Sequence, residues 1–256
     1  MPQVNLVMLT SAKQHLPVMI RVVPGSVRDV STIKTTLAEL GLSNVTLILD
    51  RGIFSDENIQ TIARSQFGVV VAARRNSKLY EQMPGEFLEH FFYRSRLIKC
   101  GRVRIEGGLF LYFFCDFGLC EEEETTLYRL LDEKRLELDE FGVRLRLAGK
   151  ILVVSNLDVG CRVVFELYMC RGEVERQFDT FKNTLQGDLL YLHDDFGVFG
   201  HLFVGFLSFY GYCVLQNLLR REGLLDSVSV FDLLEEFSLV YGVDGGGGVV
   251  VCEVPK

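Results

Sequence analysis

The chain has 256 residues, with 27 Lys+Arg against 34 Asp+Glu and a formal net charge of −7. Hydrophobic residues make up 48% and charged residues 24%, the balance of a folded domain, which excludes a disordered or collagen-like chain. Seven irregularly spaced cysteines read as free thiols in a reducing, cytoplasmic setting, and Cys115 and Cys120 have no second pair at zinc-ligand spacing. The segment from Met1 to Leu6 reads as carrying no signal peptide.

In chain order, Val4 to Leu9 and Val18 to Val23 read as strands joined by a polar turn at Ser11 to His15. Pro24-Gly25-Ser26 breaks the second strand. Asp29 or Ser31 caps a helix that runs to about Leu40 and ends at Gly41. Val45 to Leu49 is a continuous apolar run ending at Asp50, the pattern of a strand covered on both faces. Ser55 or Asp56 caps the next helix, and Val69 to Ala73 is another buried strand. This alternation predicts an α/β layer.

From Arg74 to Lys150 the pattern turns irregular and β-rich, with Gly107-Gly108 as a turn, and reads as an insertion. It contains a basic stretch (Arg94, Arg96, Lys99, Arg102, Arg104), with Arg74, Arg75 and Lys78 upstream, which is a candidate phosphate-contacting strip or else a solvated face. Residues 121–140 hold nine acids against three bases, so this window supplies most of the net negative charge.

The α/β pattern resumes with a buried strand at Ile151 to Ser155. A long helix is expected from about Phe165 to Leu185, a very apolar one from Phe199 to Arg220, and a last one near Ser229 to Leu239. The apolar helix is long enough to span a membrane, but Gln216 and Asn217 favour a core helix, apolar all round because it is buried. The expected organisation is 1–75 and 151–241 as the two parts of one α/β domain, 76–150 as the insertion and 242–256 as a flexible tail.

On the long helix Tyr168, Arg171, Glu175 and Lys182 fall within an arc of about 60° at 100° per residue. Leu167, Val174, Phe178, Phe181 and Leu185 lie beside them as the core-facing edge. In open α/β sheets ligands gather beyond the carboxyl ends of strands, where Asp50 sits, followed by Arg51 and Gly52. Asp50 and Glu175 could share divalent cations held ~3.5–4 Å apart, an arrangement suited to phosphodiester chemistry. The cationic residues would hold the phosphate backbone.

Tyr168, Arg171, Glu175 and Lys182 at this spacing resemble the Tyr-Arg-Glu-Lys signature of prokaryotic insertion-sequence DDE transposases. The Leu47-to-Gly52 segment is similar to that family's second acidic motif, and Pro24-Gly25-Ser26 with Asp29 to its turn before the first helix. The resemblance runs from Pro2 to about Leu239 and is weakest in 76–150. It implies a ribonuclease-H-like mixed sheet flanked by helices, and a Mg²⁺- or Mn²⁺-dependent nuclease and strand transferase acting on double-stranded DNA. It also implies Asp50 and Glu175 as catalytic metal ligands, with Tyr168, Arg171, Lys182, Arg51, Arg94 and Arg96 on the DNA. A homodimer of complete chains, with no membrane, completes the expectation.

Only Asp29, Glu39 and Asp50 are acidic in the first fifty residues, and Asp29 reads as a helix cap. The family's first Asp, and the central strand that carries it, are therefore expected to be missing. The polypeptide alone should be inactive or nearly so, with either a strand-wide gap or a direct pairing of the strands at 4–9 and 45–50. The competing readings are a DNA-binding remnant or inhibitory partner of a full-length transposase, a different metal-dependent nuclease on the same fold, and a membrane protein anchored by 196–219.

Overall fold

The computed structural model describes residues 4–24, 36, 39, 41, 45–49, 51–54, 67–184, 195–238, 240–244 and 249–253. Asp50, Asp29 and the expected helix after Ser55 lie outside these residues, as do Gly25 and Ser26 of the Pro-Gly-Ser turn. The chain divides into two compact units, Ser26–Gly172 and Met1–Gly25 with Glu173–Lys256.

In the first unit a six-stranded mixed sheet has the order β3-β4-β8-β7-β6-β5. The strands are β3 (Thr46–Leu49), β4 (Gly68–Ala72), β5 (Glu89–Tyr93), β6 (Arg96–Arg104), β7 (Phe110–Asp116) and β8 (Lys150–Ser155). β3 and β4 are parallel, and every other pair is antiparallel. β4, β7 and β8 are buried almost throughout, which is why each reads as an unbroken apolar run.

Two helices, α1 (Phe117–Asp132) and α2 (Leu138–Arg146), follow β7, and α3 (Cys161–Met169) follows β8. α3 covers one face of the sheet, where Val164, Phe165 and Tyr168 pack on Val70, Ile98, Tyr112, Phe114 and Val153. The Phe165 ring is the hub, edge-on to Phe91, Tyr93 and Phe114 at centroid distances of 5.4, 5.3 and 5.0 Å. The result is a mixed α/β fold consistent with a ribonuclease-H-like domain.

The stretch read as a β-rich insertion has two notable features. Its strands β5, β6 and β7 belong to the same sheet as β3, β4 and β8. Its acidic run also forms the helix α1, capped by Asp116, whose side chain accepts the Leu119 N–H at 3.1 Å. Glu123 of that run anchors the helix. It receives Arg75 at 2.7 and 3.0 Å and the Gly149 N–H at 2.8 Å. Gly149 has φ +68, and a Cβ there would lie 2.6 Å from the Asp116 carbonyl oxygen, so only glycine fits this crossing.

In the second unit β1 (Val4–Ser11) and β2 (Leu16–Pro24) form a two-stranded antiparallel sheet about the expected turn. β3 has β4 as its hydrogen-bonded neighbour, and β1 pairs only with β2 among the described residues. Direct pairing of β1 with β3 is therefore not observed among them. Helix α4 (Arg171–Asp179) begins at the boundary between the units and runs into a π-helical turn, Thr180–Thr184. α5 (Asp195–Arg221) and α6 (Val230–Phe237) follow, then the hairpin of β9 (Val240–Asp244) and β10 (Val249–Glu253), where a flexible tail is expected from the sequence.

Met8, Phe181, Leu202, Phe209 and Cys213 form this unit's core. α5 is not the all-round buried helix expected. Phe196, Phe199, Phe203, Val204, Leu207 and Tyr210 are exposed, and only 17% of its apolar window is buried. By length and composition it is the one described helix able to cross a membrane.

Candidate active site

The signature residues do not share one unbroken helix. α3 ends at Met169 and α4 begins at Arg171. Cys170 between them keeps near-helical dihedrals, φ −61 and ψ −18, and its N–H is shared among the carbonyls of Glu166, Leu167 and Tyr168. The π-helical turn that contains Lys182 departs from α-helical phase, because its hydrogen bonds span one more residue per turn.

The apolar edge is consequently divided. Leu167 packs on the sheet cluster of the first unit, whereas Phe178 and Phe181 belong to the core of the second. Tyr168 is 5% exposed and lies in the sheet cluster rather than on a solvated flank. Arg171 is brought to it, the guanidinium carbon 5.0 Å from the ring centroid. Glu175 and Lys182 are exposed, on α4 and on the π-helical turn.

Asp50 follows the last residue of β3 and lies outside the described residues, but the loop after it is pinned. The Phe54 N–H donates to the Arg51 carbonyl at 3.2 Å, and Arg74 donates to the Gly52 carbonyl at 3.2 Å. The Arg51 Nε is buried without a hydrogen-bond partner among the described residues. An all-carboxylate donor set suits Mg²⁺ or Mn²⁺.

The basic strip is largely neutralised from within. Arg96 pairs with the buried Asp116 at 3.2 Å, Arg102 with Asp158 at 2.5 Å, and Arg75 with Glu123 at 2.7 Å. Lys99 lies over the Phe117 ring and Arg104 over Phe110, at 5.3 and 5.7 Å. Arg94 differs: it sits at the exposed tip of the β5–β6 hairpin with φ 47, its guanidinium 5.4 Å from the Tyr93 centroid.

A second basic cluster escapes sequence reasoning. Lys13, His15, Arg220 and Arg221 line a groove of about 500 Å³ in the second unit. Two polar side chains hold the turn that borders it. Gln177 donates to the His15 carbonyl at 3.0 Å and Asn217 to the Gln14 carbonyl at 2.8 Å, gripping the β1–β2 turn. No local signal reveals this, because some two hundred residues separate the turn from the end of α5.

No curated protein matches the chain. The family model described as the transposase DDE domain matches residues 1–209, which include Asp50 and all four signature positions. The chain belongs to the transposase DDE-domain family.

Proposed function

We propose that this chain is a cytoplasmic transposase catalytic domain of the Tyr-Arg-Glu-Lys branch, whose members cut element ends and join them to target DNA. The observation that carries this reading is that one family match encloses both the strand-end Asp50 and the whole of Tyr168–Lys182. Asp50 and Glu175 would hold Mg²⁺ or Mn²⁺. When bound, such ions lower the pKa of an attacking water or 3′-hydroxyl and stabilise the leaving oxygen. Arg171, Lys182, Arg51 and Arg94 neutralise the phosphate backbone, and Tyr168 seats the Arg171 guanidinium. Arg96 contributes through the hairpin it holds in place.

The first fifty residues hold only Asp29, Glu39 and Asp50 as acids. With two matched carboxylates of three, this polypeptide alone binds DNA without turning it over, and a homodimer is the working form. No membrane enters this reading.

The test is gel-based binding and nicking of element-end duplexes by the purified chain. The expected result is binding that weakens steeply with salt and falls in Arg171→Ala and Lys182→Ala, without Mg²⁺-dependent cleavage. Cleavage that is lost in Asp50→Ala would overturn the inactivity of the isolated chain. Salt-insensitive binding, unchanged in both variants, would overturn the DNA-end reading itself.

A further inference from the structure

Cys100, Cys161 and Glu89 come from three different elements of the first unit. Glu89 is directly opposite Cys100 in the β5–β6 register, and Cys161 is the first residue of α3. Their ligand atoms, two sulfurs and a carboxylate oxygen, all lie within 4.8 Å of one another. A tetrahedral zinc with Zn–S of about 2.3 Å places two sulfurs about 3.8 Å apart, so closure needs only a small inward shift.

The surroundings also suit a cation. Both thiols are buried, at 1% and 2% exposure, so water competes poorly for them, while Glu89 is exposed and leaves one side open. The two thiols are hydrogen-bonded to each other, and the Arg102 guanidinium acts on Cys161 from nearby. Buried core cysteines usually need only apolar neighbours. Here a carboxylate is aimed at the pair instead, hydrogen-bonded to Cys161. The position of α3 depends on the same corner. The Tyr112 hydroxyl donates to the Leu157 carbonyl at 2.6 Å and accepts the Val159 N–H at 3.3 Å, fixing the loop that leads to Cys161.

We propose that Cys100, Cys161 and Glu89 form a site for a thiolate-preferring divalent cation of the zinc class, with an open fourth position, which staples the β5–β6 hairpin to the start of the helix that carries Tyr168. Thiolate donors select zinc-class ions over Mg²⁺, so the site is chemically distinct from a carboxylate site at Asp50 and Glu175.

The probe is Co²⁺, titrated into the full chain under a non-thiol reductant and then displaced by Zn²⁺. The expected result is one equivalent of Co²⁺ giving thiolate-to-cobalt charge-transfer absorption. That absorption is lost in Cys161→Ser and in Cys100→Ser, and retained in Cys213→Ser. Zn²⁺ at a hundredfold excess over its Kd should raise the melting temperature by about 5–10 °C. Should the buried serine variants fail to fold, the exposed Glu89→Gln still decides. It should keep the thiolate band but weaken Co²⁺ binding at least tenfold, roughly the lower bound for disturbing a metal's outer shell. Absence of the band, its persistence in the folded cysteine variants, or unchanged affinity in Glu89→Gln would overturn the proposal. So would closure of the pair to a disulfide with no metal bound.

Discussion

The Arg171 guanidinium stands 5.0 Å from the centre of the Tyr168 ring, reaching back across the Cys170 junction between α3 and α4. Two signature residues thus act as one unit: the buried ring is a platform and the half-buried cation is its partner. Their substitutions should separate. Tyr168→Ala empties a core position and should cost about 3–5 kcal/mol in urea unfolding. Arg171→Ala removes a partly exposed cation–π contact, worth roughly 0.5–1 kcal/mol. It should nevertheless lower the salt slope of DNA binding by about one phosphate contact. Equal destabilisation by the two would contradict the platform role.

The basic hairpin offers a second separation. Arg96 neutralises the buried Asp116, the residue that also caps α1, so Arg96→Met leaves a buried carboxylate short of its partner. A loss of about 1–3 kcal/mol in unfolding free energy is expected, from the desolvation cost of such a group. Arg94 at the tip carries a positive φ of 47, which asparagine tolerates well. Arg94→Asn should leave the urea midpoint nearly unchanged and weaken duplex binding measured by anisotropy. A variant pair that behaved the other way round would move the DNA surface to the hairpin's inner residues.

The parts of this molecule legible in its sequence are those where one physical signal dominates. β4 and β8 are buried on both faces, so their apolar runs are continuous, and the β1–β2 turn is marked by polar residues. α1 is obscured because Glu121 to Glu124 resembles a solvated run, whereas Glu123 is spent on Arg75 and the Gly149 N–H. The chain placement of Tyr168, Arg171, Glu175 and Lys182 can be read, but not their phase. Cys170 is neither glycine nor proline, and the π-helical turn at Thr180–Thr184 has no residue signature. The Glu89–Cys100–Cys161 cluster is invisible to spacing rules, since strand register and helix docking alone bring it together.

α6 carries a pH signal of defined sign. Ser229 accepts the Asp232 N–H at 3.1 Å, and Asp232 accepts the Ser229 N–H at 3.0 Å, a reciprocal capping box. A hydrogen bond from the Ser229 side chain, and after it the one from the Ser229 backbone N–H, hold the Asp232 carboxyl below its ordinary value. A carboxyl depressed on folding contributes stability that is complete above its unfolded pKa and is lost as pH falls through the folded one. α6 should therefore fray first on acidification below the ordinary carboxylate range, followed by amide exchange at Phe231 to Leu234. Asp232→Asn should flatten that dependence, and exchange that stays acid-sensitive in this variant would assign it to another group.

α5 has two apolar faces with opposite expectations. Phe209 is fully buried, edge-on to Phe181 at a centroid distance of 5.7 Å, while Phe203, less than two turns away, is 61% exposed. Phe209→Ala should cost about 3–5 kcal/mol, the range for emptying an aromatic core position. Phe203→Lys touches no core neighbour and should shift unfolding by no more than about 0.5 kcal/mol. The same change interrupts the exposed row formed with Phe196, Phe199, Leu207 and Tyr210, a patch of the kind that drives association. It should reduce light scattering at high protein concentration without altering the urea midpoint. If Phe203→Lys instead destabilised the chain as much as Phe209→Ala, that face would be packed in solution, and the division of the helix into a core side and an open side would be wrong.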